Sequence, residues 1–519
     1  MRSSRSVFFT LAAVAAVAMT GCSGGRSALP GTPSAPLGAQ ARGPERFSHP
    51  ISHLKNQAYP GSSIAYLLTD GSVLAQGGGG TYYRYTPDAY GNYASGTWTQ
   101  VASLPSGYNP DAAASDVLAD GRFVITGGEY NNGQFDLTNL GAVYDPVANT
   151  WTALGHPKKW GWIGDSPSSV LPDGRLLLGQ KLTKRDAYLD PKTLQWTEVG
   201  DAGKNDFNAE EGWTLLPDGT ILTADVKNDP NSEIYNPSNG QWKSAGSTIV
   251  DLAMHWTSQS CLPYGPKPKD CYYPPGEIGP SILRPDGTVF YTGAGSGVGG
   301  YGPGHTAIYH ATGSQAGTWT TGPDFPTTDN AGDSFALLEP SGNVLVFGDS
   351  GASYEWNGST FKKLSLTWGG PPLLLPTGQV LMLGYGAASL YTPTGSPKAS
   401  WAPTIKNYPK TIAASKTYKI TGTQFNGLSQ AMSFGDEYQN ATNYPLVRIT
   451  NNASTHVFYA RTHDHSTMGV ATGSKLVSTS FDVPSGIEGG ASTLVVVANG
   501  IASKPVNVTV SGARARTRR

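Results

Sequence analysis

The sequence predicts an all-β protein: seven four-stranded blades packed radially as a β-propeller, followed by a smaller β-sandwich. Three observations lead there. The chain has 519 residues with 66 glycines and 38 prolines, about a fifth of the total, which suits many short strands and turns. One module recurs seven times: an apolar strand, a polar-Gly turn, a second strand ending near glycine, a tyrosine and then a large aromatic. A lone four-stranded sheet leaves both faces wet, so such units must pack on one another around an axis.

The turns fall at Asp70-Gly71, Asp120-Gly121, Asp173-Gly174, Asp218-Gly219, Asp286-Gly287, Ser341-Gly342 and Thr377-Gly378, pairs typical of tight hairpins. The tyrosines are Tyr85, Tyr144, Tyr188, Tyr235, Tyr309, Tyr354 and Tyr391. The closing aromatics are Trp98, Trp151, Trp196, Trp242, Trp319, Phe361 and Trp401, so only the sixth unit departs from tryptophan. This order resembles the kelch repeat over 47–401. After Trp401 the pattern gives way to alternating strands over 402–511, a segment that looks like an immunoglobulin-like domain. The layout resembles galactose oxidase and glyoxal oxidase, the copper radical oxidases.

The N-terminus carries Arg2 and Arg5, then an apolar run from Val7 to Met19, short for a membrane span and suited to export. Met19-Thr20-Gly21-Cys22 resembles a bacterial lipobox, which implies a signal over 1–22 and a lipidated Cys22. Residues 23–46, rich in Ser, Gly and Pro, read as a flexible linker, and 512–519 as a basic tail. The expected location is the outer membrane or cell surface, with a periplasmic or secreted protein as the alternative. The expected membrane contact is through the lipid alone. Cys261 and Cys271 remain, and an oxidising compartment favours a disulfide between them. With 36 basic and 37 acidic residues the net charge is −1, so no global field draws the chain to nucleic acid.

The oxidase resemblance implies copper held by two tyrosines and a histidine before the turns and by a histidine of the C-terminal domain, with one tyrosine cross-linked to cysteine. Residue by residue, Asn109 stands where the cysteine is expected, Asp165 at the cross-linked tyrosine, and Trp368 and Gly369 at the Tyr-His pair. Only His456, with His463 and His465 nearby, offers a C-terminal counterpart. Copper is therefore not expected, and the resemblance carries the fold further than the chemistry.

Eight or nine residues before the turns, five of seven positions are acidic: Asp111, Asp165, Glu210, Glu277 and Asp333, with Glu211 beside Glu210. Acidic residues are about 7% of the chain, so the concentration is not compositional. Carboxylates roughly 8 Å apart repel by about 2 kcal/mol per pair at an effective dielectric near 20. Calcium held by Asp165, Glu210, Glu277 and Asp333 would offset this, as would a polyhydroxylated or cationic ligand, or protonation and backbone hydrogen bonds. Trp160, Trp162, His255 and His305, together with Trp213, Trp256, Tyr272, Tyr273 and Tyr301, read as loop aromatics around the mouth, suited to sugar rings, although each one alone suits a core position as well. The sequence thus points first to a propeller whose mouth binds carbohydrate or another small polar ligand. A glycan-active enzyme using carboxyl acid-base chemistry is the alternative, and a copper radical oxidase stands third.

Overall fold

The computed structural model describes residues 51–54, 61, 64–256, 258–265, 271–295, 302–366, 370–384, 387–433 and 437–511. The expected signal, Cys22, the linker and the basic tail lie outside the described residues.

The repeat region of the described chain is built from antiparallel sheets. The first is Ile64–Leu67, Val73–Gln76, Tyr82–Thr86 and Thr97–Val101, paired in chain order. Five further sheets repeat this meander, beginning at Ala114–Val117, Ser168–Val170, Thr214–Leu215, Ser281–Leu283 and Ala336–Leu338. Each first hairpin turns at the pair read from the sequence. Its glycine takes φ between 75° and 89° in all seven units, a conformation that costs glycine nothing. The turn aspartate accepts the amide two residues on, as in Ser72 N to Asp70 Oδ1 at 3.1 Å and Thr220 N to Asp218 Oδ1 at 3.0 Å.

The repeated aromatics are cross-strand pairs. Tyr85, Tyr144, Tyr235 and Tyr309 stand opposite Trp98, Trp151, Trp242 and Trp319, with ring centroids 4.5–5.2 Å apart. In the third and sixth sheets the register differs, and Trp196 and Phe361 face Leu189 and Trp356.

The seventh sheet departs from the sequence reading. Its strands Leu373–Leu374, Val380–Gly384 and Ala387–Tyr391 are completed by the N-terminal strand Ile51–His53, with Ile51 opposite Tyr391. Trp401, expected to close this unit, lies in the 3-10 turn Ala399–Trp401, and its ring covers Gly342, where a Cβ would come within 2.7 Å. The two ends of the repeat region are thereby joined. First strands of neighbouring sheets lie against each other, including Ile64–Leu67 with Leu373–Leu374 across that join.

Residues 404–511 form a nine-stranded sheet with its own core, which includes Ile420, Phe481, Val447, Leu494 and Val508. This unit sits on the hairpin-turn end of the repeat sheets: Thr462 N bonds Thr69 O, Arg461 Nη2 bonds Asp120 O, and Met468 N bonds Pro172 O. One of its segments enters the axis. Met432–Ser433 adds a fifth strand to the sixth sheet, Leu337 pairing with Met432, and Gln430 reaches Leu215 N and Ser169 Oγ. Farther in, Asn440 Nδ2 bonds Ala65 O and Pro372 O, and Tyr438 OH bonds Asp111. The segment therefore touches the inner strands or mouth loops of six sheets.

Asn440 is buried, and its amide serves two otherwise sealed carbonyls. Asn440→Ala is expected to lower unfolding stability by about 1–3 kcal/mol in urea denaturation; an unchanged midpoint would mean that the segment does not hold the sheets together.

Candidate functional site

Loops before each first strand and after each second strand emerge at the end of the sheets opposite the hairpin turns. Asp111, Asp165, Glu210, Glu277 and Asp333 all precede first strands there. Backbone bonds fix their places. Glu210 and Glu277 form a parallel bridge with Ile278 N bonding Glu210 O at 3.1 Å, and Met254 N bonds Glu277 O at 2.8 Å. Gly276 makes this approach possible, since a Cβ there would lie 1.6 Å from Met254 O. Asp333 holds φ 50°, a conformation uncommon for a residue with a side chain.

Three charged residues that the repeat pattern does not single out complete the cluster. Glu129 follows the second strand of the second sheet, with its amide on Asp111 O and Ala112 O. Lys181 holds the same place one sheet on, and its ammonium bonds Asp165 Oδ2 at 2.7 Å and Glu210 Oε1 at 2.6 Å. Glu437 arrives on the axial segment beside Tyr438, whose hydroxyl bonds Asp111 Oδ1 at 2.5 Å and accepts Ala112 N at 2.6 Å. The positions after the second strand, at Gly127-Gly128-Glu129 and Gly179-Gln180-Lys181, are the sequence signal for two of the three.

Six carboxyl groups thus cluster with one ammonium among the described residues: Lys181 binds Asp165 and Glu210 and acts on Glu129, Glu277 and Asp333, and Glu437 lies near Glu129, Glu210 and Asp333, with Asp111 and Asp349 at the edge. Burial dominates their protonation. It pushes Asp165 up to about 7 despite Lys181. Glu129, Glu277, Asp333 and Glu437 stand well above the usual carboxyl range, through burial and then through their neighbouring carboxylates. Asp165 Oδ1 is buried with no hydrogen-bond partner, an acceptor left open inside the cluster.

The other expected residues are dispersed. Glu211 turns away from Glu210 into a second buried group, where it meets Lys204 Nζ at 3.1 Å and Trp213 Nε1 at 3.0 Å. Trp160 and Trp213 are core residues, each 1% exposed, and offer no platform. Trp162 is half-buried; its indole N–H donates to Lys181 O and its ring meets Tyr264 of the loop closed by the Cys261–Cys271 disulfide. His255 lies on the rim with Asp251 and Asp229, and His305 pairs with Asp324 at 2.8 Å. His456 is at the opposite end, bonded to Glu488 at 2.7 Å and packed on Tyr90 beside the turns of the first sheet. The C-terminal unit therefore contributes Glu437 and Tyr438 to the mouth and not His456, because it is the axial segment, and not the strand after His456, that runs through the sheets.

No family model matches the chain. A curated relative, the Kelch-like protein terF of Aspergillus terreus, is 28% identical over 133 residues, 24% of this chain, and the match spans 28% of that protein's length. The chain resembles a kelch-repeat protein. Among solved structures, a fungal alcohol oxidase in complex with copper matches 89% of this chain and 99% of its own at 14% identity, TM-score 0.46. Virginiamycin B lyase from Staphylococcus aureus matches 67% and 100% at 12% identity, TM-score 0.43.

At the expected cross-linked tyrosine stands Asp165, ion-paired to Lys181, and the described residues gathered there offer carboxyl oxygens and an ammonium. Trp368 and Gly369 lie outside the described residues.

The charge balance can be tested in two ways. Lys181→Met leaves Asp165 and Glu210 without their cation and is expected to cost about 3–5 kcal/mol in denaturant unfolding at pH 7. Glu437 has a higher pKa folded than unfolded. Its stabilising contribution is therefore full below its unfolded value of about 4 and is lost as pH rises through the folded value. Glu437→Gln is expected to raise the thermal midpoint at pH 8 by about 2 °C or more, with the gain vanishing toward pH 4; a gain that is larger at pH 4 contradicts the assignment.

Proposed function

We propose that this chain is a seven-bladed kelch propeller with an immunoglobulin-like C-terminal domain, and that its axial mouth binds a polyhydroxylated ligand of the carbohydrate class. In this reading it is exported and held at the membrane through lipid on Cys22. The observation that carries the binding proposal is the group of six carboxyls about Lys181. A carboxyl kept neutral by burial offers both an O–H donor and a carbonyl acceptor, whereas a carboxylate only accepts. Sugar hydroxyls need both, and the unpaired Asp165 Oδ1 is one such acceptor. Calcium belongs to the same proposal at higher pH, where Asp165, Glu277 and Asp333 ionise into hard oxygen donors beside Glu210.

One observation favours a glycan-active enzyme as the second reading. Asp165, raised to about 7, shares an ammonium with Glu210, so an acid poised near neutrality stands beside a second carboxyl. The two readings part in one experiment. Residues 51–511 are passed over immobilised neutral and acidic oligosaccharides, with and without calcium, and the glycans are then analysed for cleavage. Retention without turnover, weakened at least about tenfold by Asp165→Ala, is the expected result. Cleavage abolished by Asp165→Asn supports the enzyme, and neither retention nor cleavage contradicts both.

A further inference from the structure

We infer that Asp229, Asp251 and His255 form a binding site for a divalent transition-metal ion of the zinc class on the rim of the mouth. Among the described residues, these three bring one ligand atom each to within 4.8 Å of one another. His255 Nε2 lies 3.0 Å from Asp251 Oδ2 and 3.5 Å from Asp229 Oδ1. Ligand atoms about 2.0–2.1 Å from a tetrahedral zinc stand about 3.3–3.4 Å apart, so the nitrogen is already spaced from each oxygen nearly as neighbouring vertices are.

The ligands come from two segments that the fold holds in place. Asp229 lies between the second and third strands of the fourth sheet, and Asp251 and His255 lie on the connection from that sheet to the fifth. Asp251 Oδ1 accepts Ala253 N at 2.9 Å, which turns its other oxygen toward His255. Met254, next to His255, is bridged to Glu277, so the rim is tied to the floor of the mouth by backbone bonds. Two carboxyls in contact with one imidazole form a donor set that a dication relieves of its repulsion. The His255 side chain is 49% exposed and that of Asp251 38%, which leaves the remaining coordination position open to water or to a group of a bound ligand.

The site is independent of the carbohydrate reading, and the test keeps them apart. The full chain is titrated with zinc by calorimetry at pH 7.5, and with cobalt by its visible absorption. Binding of one zinc per chain is expected at pH 7.5. It should weaken at least about tenfold in Asp251→Asn and in His255→Gln and remain unchanged in Glu488→Gln, at the opposite end of the sheets. Circular dichroism shows whether each variant is folded. The inference is overturned if folded wild-type protein takes up no zinc, or if uptake survives both rim variants and is lost instead in His463→Ala, whose imidazole faces Asp464 and Asp482.

Discussion

The inner strands of a ring of sheets face an axis from which water is largely excluded, and whatever fills that axis must satisfy them. Here the filler is a segment of the C-terminal unit. Ala431 O and Met432 extend the sixth sheet, Gln430 serves Leu215 and Ser169, and Asn440 joins carbonyls of the first and seventh sheets. Much of the rest depends on this one insertion. It couples the C-terminal unit to the repeat sheets from within as well as at their turns, and it carries Glu437 and Tyr438 to the mouth.

The charge at that mouth has a consequence for chemistry. One ammonium cannot neutralise six carboxyls, and burial makes ionisation of Glu129, Glu277, Asp333 and Glu437 expensive, which holds them well above the usual carboxyl range. The second charged group in the molecule makes an instructive contrast. Lys204 and Glu211 are fully sealed, with Lys204 against the Trp242 ring at 4.6 Å and Asp206 accepting Val226 N and Lys227 N at 2.6 and 2.8 Å. That group joins the third and fourth sheets and has no exposed member for a ligand to reach. The mouth differs in that Asp111, Glu210, Asp333 and Glu437 remain partly exposed above buried Asp165, Glu129 and Glu277.

Local chemistry made most of the fold legible. The turn glycines and the tyrosine-tryptophan steps are dictated within about thirty residues of chain, and they return as positive-φ turns and cross-strand ring pairs. What escaped is non-local. Ile51–His53 is three residues with no periodicity, and its partner Tyr391 lies at the far end of the repeats, so the repeat pattern alone assigns Trp401 a place that belongs to the N-terminal strand. In the site, the acidic positions before the first strands were legible from the repeat itself. The split between Glu210 and Glu211 was not, because consecutive residues of an extended chain face opposite ways and the sequence does not say which faces the axis. His456 draws attention by its residue type, whereas Glu437 sits in an irregular segment whose role depends on the threading of the chain.

The central claim is that the mouth holds protons on its carboxyls at neutral pH. A difference potentiometric titration of folded wild-type protein against the Glu129→Gln, Glu277→Gln, Glu437→Gln triple variant tests it directly. The account predicts that the wild type releases about two or more additional protons above pH 7. Curves that separate only near pH 4 and coincide above it would show ordinary ionised carboxylates and contradict the account.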